Sequence, residues 1–427
     1  MAKTDKTLAK VLSRRGRMAD YVIPACMLAL FMFGVAFIYS AQSYLSDEVS
    51  GAGRLWVKQA VFVCMGIPVY AVFSYLDYKW LFQNAHSIYL ICLLLLLPLA
   101  AKELLGVPVP LVETRYNATR WINLGLFSLQ PSEYAKIGTL IMLAAMLARN
   151  KIGSFKKTIL FWIKLALVFS IPILLIFIQP DLGSSLVFFP MLFSMLYISG
   201  LPKRFFLLAI ALVCVVIGLV ALDISGYYSY LQKTNMPASE AAAMNAYGSS
   251  GSSLLPMKDY QRNRILAFAL PDVVDKSGTA ITWNQRQSLI SVGSGGMFGK
   301  GFAEGTQAKL GYLPSGVAYN DFIFSVVAEE SGFLGGALVV ALLAVIVVYG
   351  CVRTAQLSRD KFGQFLCIGI AAIFMTHSFV NVGMTIGIMP VKGLPLPMLS
   401  YGGSFVLACC ILLGIVQSVF RHRREYA

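Results

Sequence analysis

The stretch Phe205-Phe-Leu-Leu-Ala-Ile-Ala-Leu-Val-Cys-Val-Val-Ile-Gly-Leu-Val-Ala-Leu222 runs for eighteen residues without a charge, between Lys203-Arg204 and Asp223. A helix needs about 20 mostly apolar residues to cross the hydrocarbon core of a bilayer, and this block meets that need. Counting outward from it, ten such stretches cover roughly 20–42, 57–76, 83–104, 133–149, 158–178, 183–201, 204–224, 321–352, 363–388 and 400–420. Over the whole chain of 427 residues 58% are apolar and 13% charged, with a mean hydropathy of +0.72, whereas soluble domains carry about 25% charged residues. The expected fold class is therefore an all-α polytopic membrane protein of about ten transmembrane helices, a single membrane domain over 1–427, and a soluble enzyme is excluded. The first stretch is long and lacks a small-residue cleavage site, so it reads as a retained helix rather than a signal peptide.

A net charge of +15 would suit nucleic acid, but the basic residues cluster at span ends, which argues for membrane topology and no nucleic-acid partner. With both termini in the cytoplasm, nineteen Lys or Arg fall on that side, six of them in the basic segment 1–19, against six in the short opposite loops. The positive-inside rule fixes that orientation. All eight cysteines lie in apolar stretches and only three histidines are present. Neither a disulfide framework nor a histidine-rich metal site is indicated.

The seventh and eighth spans are joined by 96 residues, Ser225 to Asn320, which this orientation places outside the membrane. Loops of that length carry function or are disordered. The part 233–257, rich in Ala, Ser, Gly and Met, reads as mobile. The part after Asp259 holds Tyr260-Gln-Arg-Asn-Arg264-Ile-Leu and Gly293-Ser-Gly-Gly-Met-Phe-Gly-Lys300-Gly301. Glycines let backbone N–H groups approach a ligand and cations complement phosphate, although the order is not a Walker A loop. A flexible, solvated outer loop is the plain alternative.

Three carboxylates open spans. Glu133 starts the fourth in Gln130-Pro-Ser-Glu-Tyr-Ala-Lys136, three residues ahead of Lys136, so the two share a helix face and can pair. Asp181 starts the sixth in Gln179-Pro-Asp-Leu-Gly, and Asp321 the eighth in Tyr319-Asn-Asp-Phe-Ile-Phe. Helix capping accounts for each equally well in isolation. Glu329 and Glu330, two turns beyond Asp321, are harder to dismiss because ionisable groups at membrane depth are costly and usually functional. A straight helix over 321–352 would be about 48 Å long and would carry its first turns beyond the bilayer. The run Asn381 to Ser404 has three prolines and repeated glycines after Met389. Such backbone is tolerated at membrane depth only against protein or a wet cavity.

These motifs, with Thr119-Arg120-Trp121-Ile-Asn-Leu-Gly, Gly305-Thr-Gln307 and the Pro-Val-Lys392-Gly-Leu-Pro-Leu-Pro to Ser400-Tyr-Gly-Gly-Ser run, resemble in order those of the SEDS (shape, elongation, division and sporulation) membrane proteins. The Gly-Thr-Gln and Pro-Leu-Pro elements are more similar to the elongation branch than to the division branch. The resemblance implies a peptidoglycan glycosyltransferase of the cytoplasmic membrane that polymerises lipid II for cell elongation, paired with a class B penicillin-binding protein. It places a catalytic Asp on Asp321, an important pair on Glu133 and Lys136, and an acid on Asp181. One departure stands out: where the family reads Leu-Pro-Glu-x-His-Thr-Asp, this chain reads Leu313-Pro-Ser-Gly-Val-Ala-Tyr-Asn-Asp321, two residues longer and without the Glu and His.

Such a reaction needs a base at the acceptor hydroxyl, cations at the departing pyrophosphate and an apolar slot for the polyprenyl tail. Asp321 suits the base, and Arg264, Lys300, Arg120 and Lys392 suit the pyrophosphate. Gln307 and Ser400 are further substrate-side candidates from the matched motifs, and Trp121 is either an anchor or an aromatic-belt residue. A divalent cation, Mg or Mn, would go to Asp321 or Asp181, since carboxylates suit it, but no spacing demands one. The rival readings are a lipid-precursor flippase and a non-catalytic scaffold. A flippase of this size is expected to show paired broken helices in two similar halves, and no such repeat is evident.

Overall fold

The computed structural model describes residues 20–43, 55–105, 109–115, 118–123, 125, 128–150, 159–179, 181–255, 257–275, 282–313 and 318–423. The basic segment 1–19 and the lengthened motif at 314–317 lie outside them. The principal elements are α1 (Val22–Gln42), α2 (Leu55–Tyr75), α3 (Ala85–Leu105), β1 (Val112–Arg115), β2 (Ala118–Asn123), β3 (Ser128–Leu129), α4 (Pro131–Arg149), α5 (Ile159–Ile178), α6 (Leu182–Ile198), α7 (Lys203–Thr234), α8 (Asp259–Ala269), α9 (Trp283–Ser294), α10 (Ile323–Ala344), α11 (Lys361–Thr385) and α12 (Gly403–Arg421). Helix α10 runs on through a π-helical stretch, Val345–Val352, to a last turn ending at Leu357.

Eight of these helices are long and apolar enough to cross a membrane: α1, α2, α3, α5, α7, α10 with its continuation, α11 and α12. The protein is a polytopic helical membrane protein. Two further helices fall where spans were expected. One, α4, carries Glu133, Lys136 and Arg149, and the other, α6, has only 17 residues. Both belong to the centre of the bundle, where α4 is buried over nearly its whole length and α6 packs on α11. Small residues let these helices approach closely: a Cβ on Gly369 of α11 would stand 2.2 Å from a Leu140 methyl of α4. Helix α12, buried throughout, packs mainly on α2.

Departures from the all-helical expectation are local. The segment between α3 and α4 is a three-stranded antiparallel sheet in the order β1-β2-β3, with Trp121 opposite Glu113. Its Val, Thr, Trp and Ile residues are good strand formers. Helix α10 is not straight, because Gly332 has φ 66° and ψ −164°. This break frees carbonyls that the run 295–301 then occupies: the amides of Lys300 and Gly301 donate to Glu329 and Glu330 at 3.0 Å, and Phe333 donates back to Gly296 at 2.8 Å. The glycines make the contact possible, since a Cβ on Gly295 would be 2.0 Å from the Ala328 carbonyl oxygen.

Beyond the apolar block, α7 continues to Thr234 and forms a second small core with Tyr227, Leu231, Ala238, Ala241, Tyr247 and Leu266. Residues 233–257, for which composition suggested mobility, contain the short helices Ala238–Met244 and Ala246–Ser249. The anchor is Arg262, fully buried. Its guanidinium donates at 2.8 Å to Asp223 and Asp259 and also to the carbonyls of Met257 and Leu255. Asp259 in turn accepts from the amides of Tyr247 and Gly248.

Arg262→Met should therefore strand two buried carboxylates and destabilise this outer unit by about 3–5 kcal/mol. Limited proteolysis of the purified protein is expected to cut within 235–270 in the variant, with the transmembrane bundle left intact.

Candidate functional site

The residues singled out at span ends meet around the run between α11 and α12, which makes local bonds such as Leu394 N–H to the Lys392 carbonyl at 2.7 Å and takes further partners from its neighbours. From α11, Asn381 donates through Nδ2 to the carbonyls of Leu394 at 2.7 Å and Asp321 at 2.9 Å. Ser400 donates to the Asn320 carbonyl and accepts from the Leu396 amide, both at 2.7 Å. The Tyr401 amide closes on the Tyr319 carbonyl at 3.0 Å. The turn 319–322 ahead of α10 is thus strapped to this run, and Asp321 faces the backbone of Gly393, where a Cβ would stand 3.3 Å from its Oδ2.

Asp181 reaches the same region from α6. It caps that helix, accepting from the Ser184 amide at 3.2 Å and hydroxyl at 2.8 Å. The capping reading of this residue therefore holds, yet its second face is also engaged. Arg120 of β2 lies 3.8 Å from its Oδ1 and Gln130 3.5 Å from its Oδ2. Next to Asp181, Gly183 abuts the Gly393 carbonyl. Burial pushes the Asp321 carboxyl up to about 6; Arg120 draws it down and Asp181 pushes it further up. Asp321, Asp181 and Arg120 therefore share one electrostatic site.

Glu133 and Lys136 form the pair that their spacing allows, Nζ to Oε1 at 2.9 Å, with both side chains buried. The same ammonium is 3.0 Å from Nε2 of His377, whose Nδ1 is 3.1 Å from the Pro395 carbonyl. Arg264 and Lys392, far apart in sequence, line one cleft of about 240 Å³ with Phe177, Met257, Tyr260, Gln261 and Ile265. Burial and the neighbouring Arg264 lower the Lys392 ammonium from its usual range. Trp121 is half-buried on β2, beside Arg120.

Two candidates belong elsewhere. The Lys300 ammonium holds Glu329 at 2.6 Å and the Thr306 hydroxyl at 2.7 Å. The Gln307 amide donates to the same Glu329 oxygen at 3.1 Å. Glu330 is bonded to the Ser40 hydroxyl and to the Ala303 amide. These groups gather around the break in α10, where Glu329 lies about 9 Å along the helix from its first residue, Ile323, at 1.5 Å per residue. Among the described residues no group of three or more His, Cys, Asp or Glu is arranged to hold a metal ion. The sequence reading did not single out Gln130, Gly393 or His377, nor Asn381 as a contact of Asp321. The one usable signal was the spacing of His377 and Asn381, polar residues one turn apart on an apolar helix.

Residues 20–425 match the FtsW/RodA/SpoVE family model, described as cell cycle protein. The chain is 32% identical to the peptidoglycan glycosyltransferase RodA of Treponema pallidum, covering 94% of this chain and 97% of that one. It is also 32% identical to the peptidoglycan glycosyltransferase MrdB of Escherichia coli K12, over 93% and 92%. Among solved structures, it resembles a chain of a peptidoglycan synthase complex that coordinates polymerization and crosslinking, with a TM-score of 0.69, 24% identity and 96% and 99% coverage. It resembles Thermus thermophilus RodA with a TM-score of 0.61, again at 24% identity, over 96% and 98%.

The shared electrostatics can be read without any activity. Carbodiimides modify protonated carboxyls, so labelling of Asp321, followed by mass spectrometry, should be half-maximal near pH 6. Arg120→Gln, which removes the downward influence, should raise that midpoint, and Asp181→Asn should lower it.

Proposed function

The chain belongs to the FtsW/RodA/SpoVE family of cell-cycle proteins, and we propose that it is a peptidoglycan glycosyltransferase polymerising lipid II into glycan strands for cell elongation. The reaction takes place at the outer face of the cytoplasmic membrane. The observation that carries this reading is Asp321, set on a turn strapped to the run between α11 and α12 with its carboxylate against Gly393. Burial raises its carboxyl above the usual range, which makes it a stronger base than an ordinary exposed Asp, as general-base catalysis favours. It takes the proton of the GlcNAc 4-hydroxyl as that oxygen attacks the anomeric carbon of the lipid-linked growing strand, with inversion and departure of undecaprenyl pyrophosphate.

Arg264 and Lys392 line one cleft and receive the pyrophosphate, whose leaving charge two cations stabilise. Arg120 and Asp181 tune Asp321 from the other side. The buried Glu133–Lys136 pair and Ser400 hold the cradle, while Trp121 lies at its rim. Lys300 and Gln307 serve the fold around Glu329 instead of the reacting groups. The relevant partners are membrane lipid and a class B penicillin-binding protein that cross-links the product. Both termini face the cytoplasm, with α4 and α6 completing ten crossings and 225–320 lying outside.

Purified protein given lipid II, with and without the transpeptidase, should form glycan strands. Phe322 is the N-cap of α10, which has no side-chain cap bond, so the capping reading of Asp321 does not hold; Asp321→Asn keeps size and should lower strand synthesis by about 10²–10⁴ while the thermal unfolding midpoint stays put. Strand synthesis near wild type in that variant would remove Asp321 from the role of base, and translocation of lipid II without polymer would favour a flippase. For the topology, a single cysteine at Ser252 should react with impermeant reagent in intact cells and one at Thr4 should not.

A further inference from the structure

Helix α11 sends two buried polar side chains, His377 and Asn381, into the run that walls Asp321. Four residues apart, they share a helix face and take consecutive carbonyls, Asn381 that of Leu394 and His377 that of Pro395. The hydrogen positions on the imidazole follow from its neighbours. A carbonyl only accepts, so Nδ1 carries the hydrogen. An ammonium only donates, so Nε2 offers its lone pair to Lys136. Lys136 is itself held by Glu133 at 2.9 Å, and the ring of Phe405 lies 5.0 Å from the imidazole. Ring orientation is thus fixed from three sides.

We infer that His377 is a positioning residue for glycosyl transfer, tethering Pro395 to the Glu133–Lys136 pair so that Gly393 stays against Asp321. The inference rests on Asp321 being the base. A residue that merely filled the core would be better served by Leu, because a buried polar ring costs free energy unless its hydrogen bonds are made. Here both ring nitrogens are engaged, and one partner is two residues from Gly393. Release of Pro395 would leave the Leu394 carbonyl on Asn381 as the remaining bond from α11 to this part of the run. Displacing a catalytic surface by about 1 Å can cost about a hundredfold in rate.

The test uses three variants of the full-length protein in nanodiscs. His377→Leu removes both ring contacts. His377→Asn sets an amide nitrogen near the place of Nδ1 and keeps the donor to Pro395. His377→Gln reaches the place of Nε2 and keeps the acceptor for Lys136 alone. The Leu variant should lower kcat for strand synthesis about ten- to a hundredfold, with KM for lipid II little changed, and should speed amide hydrogen exchange in the peptide spanning 390–400. The Asn variant should restore both, and the Gln variant neither. A folded Leu variant with unchanged kcat and exchange overturns the inference, as does rescue by Gln without rescue by Asn, which would mean that His377 serves only to satisfy Lys136. If Leu does not fold, the contrast between Asn and Gln decides. Hydrogen exchange needs no turnover, so a wild-type protein that makes no strands refutes the assigned activity while the tether is still judged.

Discussion

Backbone that leaves the helix at membrane depth must find every hydrogen-bond partner within the protein. The run from Ile386 to Gly402 imposes that demand, since Pro390, Pro395 and Pro397 prevent a helix and leave carbonyls without partners. Gln59 of α2 answers from one side, donating to the Ser400 carbonyl at 3.2 Å and accepting from the Gly402 amide at 3.1 Å. Asn381 and His377 answer from another, and the turn before α10 from a third. What results is a rigid floor made of main chain. The Asp321 carboxylate rests against this floor at Gly393.

The same constraint is met a second time at Gly332. There the broken helix hands its carbonyls to the run 295–301, and the glycines are present because two backbones touch. The composition that resembles a phosphate cradle is thus a docking surface for α10. Glu329 also becomes intelligible. Its Oε1 collects Lys300, the Thr306 hydroxyl and amide, and the Gln307 amide, so a charge expected to be costly in the membrane is fully paired where it lies.

How far the sequence could be read depended on the range of each interaction. Apolar length alone marks the spans, and a three-residue spacing was enough to foresee the Glu133–Lys136 pair. The turn at Asp321 was legible as a helix start preceded by polar residues. Pairings beyond a helix turn were not, and the bond from Lys300 to Glu329, 29 positions on, could not be read from local spacing. Arg262 and Arg264 show a subtler limit. Two residues apart on a helix, they point about 200° apart at 3.6 residues per turn, so one is sealed between Asp223 and Asp259 while the other opens on the cleft with Lys392. Nothing in the string Gln-Arg-Asn-Arg says which is which until the face packed on α7 is known. His377 escaped notice because its partners, Lys136 and the Pro395 carbonyl, lie 241 and 18 positions away.

Helix α7 stands apart from this economy of contacts, with none of its most apolar eighteen-residue window buried in the protein. Its firm attachments are at the ends: Phe205 stacks on Trp162 of α5, and Asp223 is clasped by Arg262. Between them its apolar side chains face outward, and the tilt of such a span in a bilayer follows the match between its apolar length and the local hydrocarbon thickness. The thickness of the host membrane belongs among the variables that any reconstitution of this protein has to hold constant.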